Sequence, residues 1–201
     1  MSDFDLEFET VLRTIEKAGK ALGQDRWEWR EFLRYAAAYF HAFRITRPVV
    51  VEIGTLDNAQ KPFYETLLGA EHIGIDTGTQ SRCRPDILGD SRNPETWRAL
   101  LDRLAGRPVD LLFIDGNHAY DCAKSDYGMY GPLTRHLVAL HDIACFDVPH
   151  CVDVLRFWRE LCETEFEHLH LSFHKKRTHE VTTIWPGHEM GIGLIVKGGV
   201  A

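Results

Sequence analysis

The chain is short of positive charge, of paired cysteines and of long apolar runs, and each shortage narrows what it can be. Lys and Arg number 23 against 30 Asp and Glu, a net charge of −7, which argues against a nucleic-acid binder. The only basic cluster, His174 to Arg177, reads as a solvated loop. Five cysteines are present, an odd number with no CxxC pair, so a disulfide framework or a cysteine-rich zinc site is not expected. Cys145 and Cys151 read as small packing residues. No apolar run reaches the ~18 residues of a membrane span, so no membrane partner is expected. The acidic start MSDFDLEFET lacks the apolar core of an export signal, and a cytoplasmic location follows as the expectation. Internal repeats and low-complexity linkers are also missing. The 201 residues are read as one domain (1–201), with N-terminal helices over 1–47 and a core over 48–198.

What is present is a change of hydrophobic period. Phe4, Phe8, Val11, Leu12, Ile15, Ala18 and Leu22 recur at helical spacing, and Gly23 is the expected stop. A second helix is expected from about Trp27 to Phe43, its aromatic side packed against a sheet edge. After Pro48 short apolar runs alternate with helical segments. Strands are expected at Val49 to Gly54, His72 to Asp76, Asp86 to Ser91 (a short strand and a turn), Asp110 to Gly116, Leu137 to Asp142, Phe166 to Phe173 and Gly191 to Lys197. Helices are expected at Lys61 to Leu68, from Asn93-Pro94 to Leu104, from the fourth strand to about Arg135 with irregularity near Gly128 and Gly131-Pro132, and over Val152 to Cys162. This alternation predicts an α/β fold, a Rossmann-like and mostly parallel sheet with helices on both faces. The last two strands, separated only by the Lys175 to Glu189 loop, are expected as an antiparallel pair at one edge.

Ligands of such sheets bind beyond the carboxyl ends of the strands, where the strand order reverses. Glu52, Gly54, Asp76, Asp90, Asp115, His118, His141 and Asp142 fall at those ends. A carboxylate closing the second strand, here Asp76, commonly grips a ribose; its other reading is a helix cap. Asp115 and Asp142 end the fourth and fifth strands. With His141 they offer oxygen and nitrogen donors for one divalent cation, Mg2+ or Mn2+. His118, three residues after Asp115, is placed to act as a general base. The competing reading makes Asp115 a helix cap and His118 a surface residue.

Together VVVEIGT, HIGID, DILGDS, DLLFIDGNHAY, LHDI, RFWREL and the final GIGLIVK resemble class I S-adenosylmethionine-dependent methyltransferases. The nearest branch holds the macrocin-type sugar O-methyltransferases and the cephalosporin-hydroxylase-like proteins. The resemblance spans roughly Val49 to Lys197, and FIDGNHAY followed by LHDI is its most specific part. It implies a seven-stranded sheet with an antiparallel last strand. Glu52 and Gly54 would lie near the methionine part of S-adenosylmethionine, Asp76 at the ribose, and Asp90-Ser91 near the adenine, with Asp115 also lining the cofactor site. It implies Mg2+ at Asp115, His141 and Asp142, with His118 as catalytic base; His141 departs from the usual acidic or amide residue. The first loop, Gly54 to Gln60, has one glycine where the family usually has more.

The expected activity is transfer of a methyl group to the hydroxyl of a small molecule. Two other readings stay open at this point: a methyltransferase-like binding protein with a degenerate cofactor loop, and a metal-dependent hydrolase on the same scaffold. The N-terminal helices are the expected interface if the chain forms a homodimer. The aromatics of those helices and Trp185 are candidates to shape the acceptor pocket.

Overall fold

The computed structural model describes residues 2–80, 84–144, 152–165, 167–174 and 190–197. The expectations for Cys145, Cys151, Trp185 and the loop from Lys175 to Glu189 lie outside them. Seven strands form one sheet: β1 (Val49–Ile53), β2 (Glu71–Asp76), β3 (Ile87–Leu88), β4 (Val109–Ile114), β5 (Thr134–His141), β6 (Leu169–Phe173) and β7 (Ile192–Val196). Their order is β3-β2-β1-β4-β5-β7-β6. The first five strands pair in parallel, and β7 runs antiparallel between β5 and β6. The order reverses between β1 and β4, where a crevice opens at the carboxyl ends.

Strand alternation sends successive side chains to opposite faces. Val50, Leu111, Phe113, Leu137, Ala139 and Leu194 point to one face, covered by α1 (Asp3–Lys17), α2 (Arg26–Ala42) and α3 (Lys61–Leu67). Val51, Ile53, Leu112, Ile114, Val138 and Leu140 point to the other, covered by α4 (Pro94–Leu104), α5 (Tyr120–Tyr130) and α6 (Val152–Thr164). The sheet is thus apolar on both sides, as parallel sheets require.

The elements depart from the sequence reading in three places. First, α1 stops at Lys17, well before Gly23. Gly19 adopts φ +72, its N–H bonds Glu16 O, and Lys20 N–H bonds Ile15 O. This is a Schellman closure, which only the earlier glycine is placed to make. Second, the aromatic side of α2 packs on the sheet face rather than its edge. Trp29 meets Phe113 and Tyr64 edge-on at 5.3 and 5.4 Å between ring centres, and Phe32 lies 5.6 Å from Phe113. Third, α5 ends at Tyr130 and β5 begins at Thr134. Pro132 has no N–H to continue a helix, and Gly131–Leu133 forms a single 3-10 turn.

Candidate active site

Gly54 sets the geometry of the crevice. Its φ of +84 is open to glycine, and a Cβ there would stand 2.1 Å from the carbonyl oxygen of Asp115. The missing side chain lets the β1 turn lie directly against the end of β4. Beyond it opens a cleft of about 630 Å³, within the roughly 300–1,000 Å³ range of small-molecule sites. Gly54, Asp76, Asp90, Ser91, Asp115, His118, His141 and Asp142 all line it.

Glu52 does not line it. Alternation turns its side chain under the sheet, fully buried, with Oε2 2.8 Å from His72 Nε2. His72 in turn stacks on Tyr64, ring centres 5.3 Å apart. Burial raises the Glu52 pKa, against the stabilising pull of His72.

Asp76 holds the first loop. Its Oδ2 accepts the N–H groups of Thr55 and Leu56 at 2.9 and 3.0 Å, and Oδ1 accepts Gly78 N–H at 2.6 Å. The loop reaches left-handed conformations without further glycines: Leu56 has φ +47 and Asn58 φ +58. Asp76 therefore shapes the loop by bonding its backbone, and caps no helix.

At the far side of the cleft Asp90 pairs with Arg92 at 2.7 Å, while Ser91 Oγ donates to Asp126 Oδ1 at 2.6 Å. Burial pushes the Asp126 carboxyl up to about 6, with Ser91 and Arg92 opposing.

The end of β4 and β5 carries the densest chemistry. His118 Nε2 lies 2.9 Å from Asp142 Oδ2 and 3.7 Å from Asp115 Oδ1. His141 Nδ1 lies 3.0 Å from Asp115 Oδ1 and 3.5 Å from Asp142 Oδ1. Asp142 reaches this position with φ +62, a left-handed turn that swings its carboxylate back over the strand end. The cap reading of Asp115 fails, because α5 starts after Ala119 without a side-chain cap. Burial disfavours a charged His118, but Asp115 and Asp142 outweigh it and push its pKa up to about 10. The same balance carries His141 to about 9. Burial would raise Asp115, yet the two imidazoles hold it below the ordinary carboxylate value.

Sequence reasoning missed Gln24, Gln60 and Asp126. Gln24 Nε2 donates to Asp115 Oδ2 at 2.7 Å, and its Oε1 accepts Gln60 Nε2 at 3.1 Å. The early stop of α1 frees residues 18–25 to cross the strand ends, and Asp25 then caps α2 through the N–H groups of Trp27 and Glu28. The glycine at 19 and the cap residue at 25 were the signals that Gln24 lies in a connector. Asp126 left only a weak trace, a charged residue on the core side of α5.

No protein-family model matches the chain, and no curated protein matches it by sequence. Solved structures do match. An O-methyltransferase from Bacillus cereus, in complex with SAH, aligns with 96% of this chain and 91% of its own, at 13% identity and a TM-score of 0.54. A Staphylococcus aureus protein assigned to the caffeoyl-CoA O-methyltransferases aligns over 98% of this chain and 93% of its own, at 15% identity and a TM-score of 0.58. MycE, the methyltransferase of the mycinamycin pathway in complex with Mg, SAH and mycinamycin VI, aligns with 95% of this chain but 56% of its own, at 16% identity and a TM-score of 0.54. The chain shares the fold of these O-methyltransferase structures.

Proposed function

We propose that this protein transfers a methyl group from S-adenosylmethionine to the hydroxyl of a small molecule, assisted by a divalent cation. The observation that carries this reading is the joining of two halves in one cleft. Gly54, Asp76, Asp90 and Ser91 line one part, and Asp115, His118, His141 and Asp142 the other. The similarity to the SAH complexes of the Bacillus cereus enzyme and of MycE supports it.

The residues fit both groups. One donor atom each from Asp115, His118 and Asp142 lies within 4.8 Å of the other two, a set suited to a dication. Asp76 accepts three backbone N–H bonds, and a carboxylate has about four acceptor sites, which leaves one for a ribose hydroxyl. S-Adenosylmethionine supplies the methyl group on a sulfonium. A cation held by Asp115 and Asp142, with His141 beside them, would lower the pKa of the acceptor hydroxyl.

His118 takes the hydroxyl proton on Nε2, the nitrogen that faces Asp142. Those carboxylates otherwise hold this imidazole protonated; neutralising them returns it toward the neutral range, where it can accept. The cofactor, held beside Gly54, Asp76 and Asp90, would supply its methyl group to that oxygen and would itself be released as a neutral thioether. Orientation supplies much of the rate, since the chain only has to place oxygen, methyl and sulfur in line. A cytoplasmic setting and self-association belong to the same reading. Phe43 at the C-terminal cap of α2 and Leu169 on the edge strand β6 are both more than half exposed, which supports the latter.

Calorimetry with S-adenosylmethionine tests the proposal. Saturable heat, with or without Mg2+, is expected. Its absence would favour the binding-protein reading, whereas cation-dependent ester hydrolysis without cofactor would favour a hydrolase. His118→Ala is expected to abolish transfer and leave cofactor affinity nearly unchanged; loss of both would assign it a structural role.

A further inference from the structure

The cofactor half of the cleft leaves open which group reads its base, and Asp126 bears on that. This residue stands on the core side of α5 and is 2% exposed, yet it lines the cleft together with Ile53, Ile75, Ser91 and Gly116. Ser91 Oγ donates to its Oδ1 at 2.6 Å, and Oδ2 receives no hydrogen bond from a described residue. A Cβ on Gly116 would stand 3.6 Å from that Oδ2 and 3.2 Å from Ile53 Cγ2. The glycine thus keeps a slot open between an apolar wall and a carboxylate oxygen, a shape suited to the edge of a flat ring.

The two residues that the resemblance sets near the adenine are turned elsewhere. Asp90 accepts Arg92 N–H and Nε–H on Oδ1, and an Nη2 hydrogen on Oδ2. Ser91 gives its hydroxyl proton to Asp126, and its carbonyl oxygen accepts Tyr130 O–H at 2.5 Å. Burial sets the charge of Asp126 against the fold, a conflict that clusters at functional sites. We infer that Asp126 determines specificity for the base, its Oδ2 accepting the exocyclic amine of adenine at the inner end of the cleft. The inference rests on the S-adenosylmethionine reading above and deepens it. Hypoxanthine carries a carbonyl oxygen where adenine carries the amine, so it would set two acceptors face to face there.

The test compares S-adenosylhomocysteine with S-inosylhomocysteine by calorimetry, on the full chain and on Asp126→Asn. The two thioethers differ only at the base edge in question. The wild type is expected to bind the adenosyl compound at least about tenfold more tightly, a comparison that needs no variant to fold. In Asp126→Asn the amide keeps its oxygen toward Ser91 Oγ and turns its NH2 to the base. The preference should then shrink to within about threefold or invert. Ligand-free Asp126→Asn is expected to melt no lower than the wild type at neutral pH, so a lost preference does not reduce to unfolding. Equal binding of the two compounds by the wild type, a wild-type preference for the inosyl compound, or an adenosyl preference that survives Asp126→Asn, whether or not both affinities fall, would each overturn the inference. Each would leave the methyltransferase reading standing, because S-adenosylhomocysteine still binds. No binding of either thioether by the wild type would strike that reading and the inference with it.

Discussion

Gln24 and Asp115 are 91 positions apart in the chain and 2.7 Å apart in space. The amide N–H occupies Oδ2 of Asp115, which leaves Oδ1 to face His141 and His118. Neighbours that orient a metal-binding carboxylate typically matter about 10–100-fold in affinity or activity. Gln24→Ala is therefore expected to lower methyl transfer by roughly that factor and stability by about 1–3 kcal/mol, the cost of leaving a buried acceptor without its donor. Turnover and denaturant melts check both. Unchanged turnover would make the contact purely structural.

His118 gives the metal-free protein a pH signature. Its pKa in the fold, about 10, lies above the ordinary 6.5. The stability it contributes is thus complete below pH ~6.5 and is lost as pH rises through about 10. The melting temperature of metal-free protein should fall across that window, and His118→Asn should flatten the fall. A dication saturating the site should flatten it too, because it takes over the two carboxylates.

Asp126 predicts the same sign in a lower window. Burial raises its pKa from 3.8 to about 6. Its contribution is complete below pH 3.8 and lost as pH rises through about 6, so at neutral pH the buried charge weighs against the fold. That rise corresponds to roughly 3 kcal/mol. Asp126→Asn keeps an acceptor for Ser91 Oγ, and should raise the melting temperature at pH 7 but not at pH 4.

Gly54→Ala should fail for reasons of space. A Cβ would press on the backbone of Asp115 and Gly116, which cannot move without parting β1 from β4. A loss of at least ~3 kcal/mol is expected, from overpacking and the positive φ together. Soluble yield and chemical denaturation read it out.

Leu56→Gly should act the other way. Leu56 holds φ +47 and is 41% exposed, so little packing is lost and the left-handed strain is relieved. A gain of about 0.5–1 kcal/mol is expected, with tighter binding of S-adenosylmethionine in calorimetry. A weaker cofactor complex would show that the leucine side chain itself contributes to the site.

Much of this architecture is legible in the chain because strands and helices differ in period, and because Asp76, Asp115 and Asp142 close apolar runs that can only be strands. Alternation even tells, after the fact, why Glu52 faces Val50's side of the sheet and not the cleft. What was illegible depends on contacts between distant segments. Two glycines could end α1, and the choice of Gly19 over Gly23 decides whether Gln24 is a helical residue or a connector above Asp115. Pro132 was visible, yet the early start of β5 follows from its pairing with β4 at Val109 and Thr134. Asp126 needed the fold of the cleft floor to become its neighbour.

The placing of β7 carries a consequence for how the site comes into being. β7 follows every other described element in the chain and pairs with β5, so His141 gains its partner Ile192 only after some fifty residues more have been made. Until then β5 has an open edge, and the backbone that carries the imidazole lacks its outer partner. Gly54, Asp76, Asp90 and Ser91, on the other side of the cleft, all precede these residues in the chain. During synthesis the β1 to β4 part of the sheet should thus form before the outer edge of β5 is closed, and slow pairing over this long range is the step at which the His141 end of the cleft can stall.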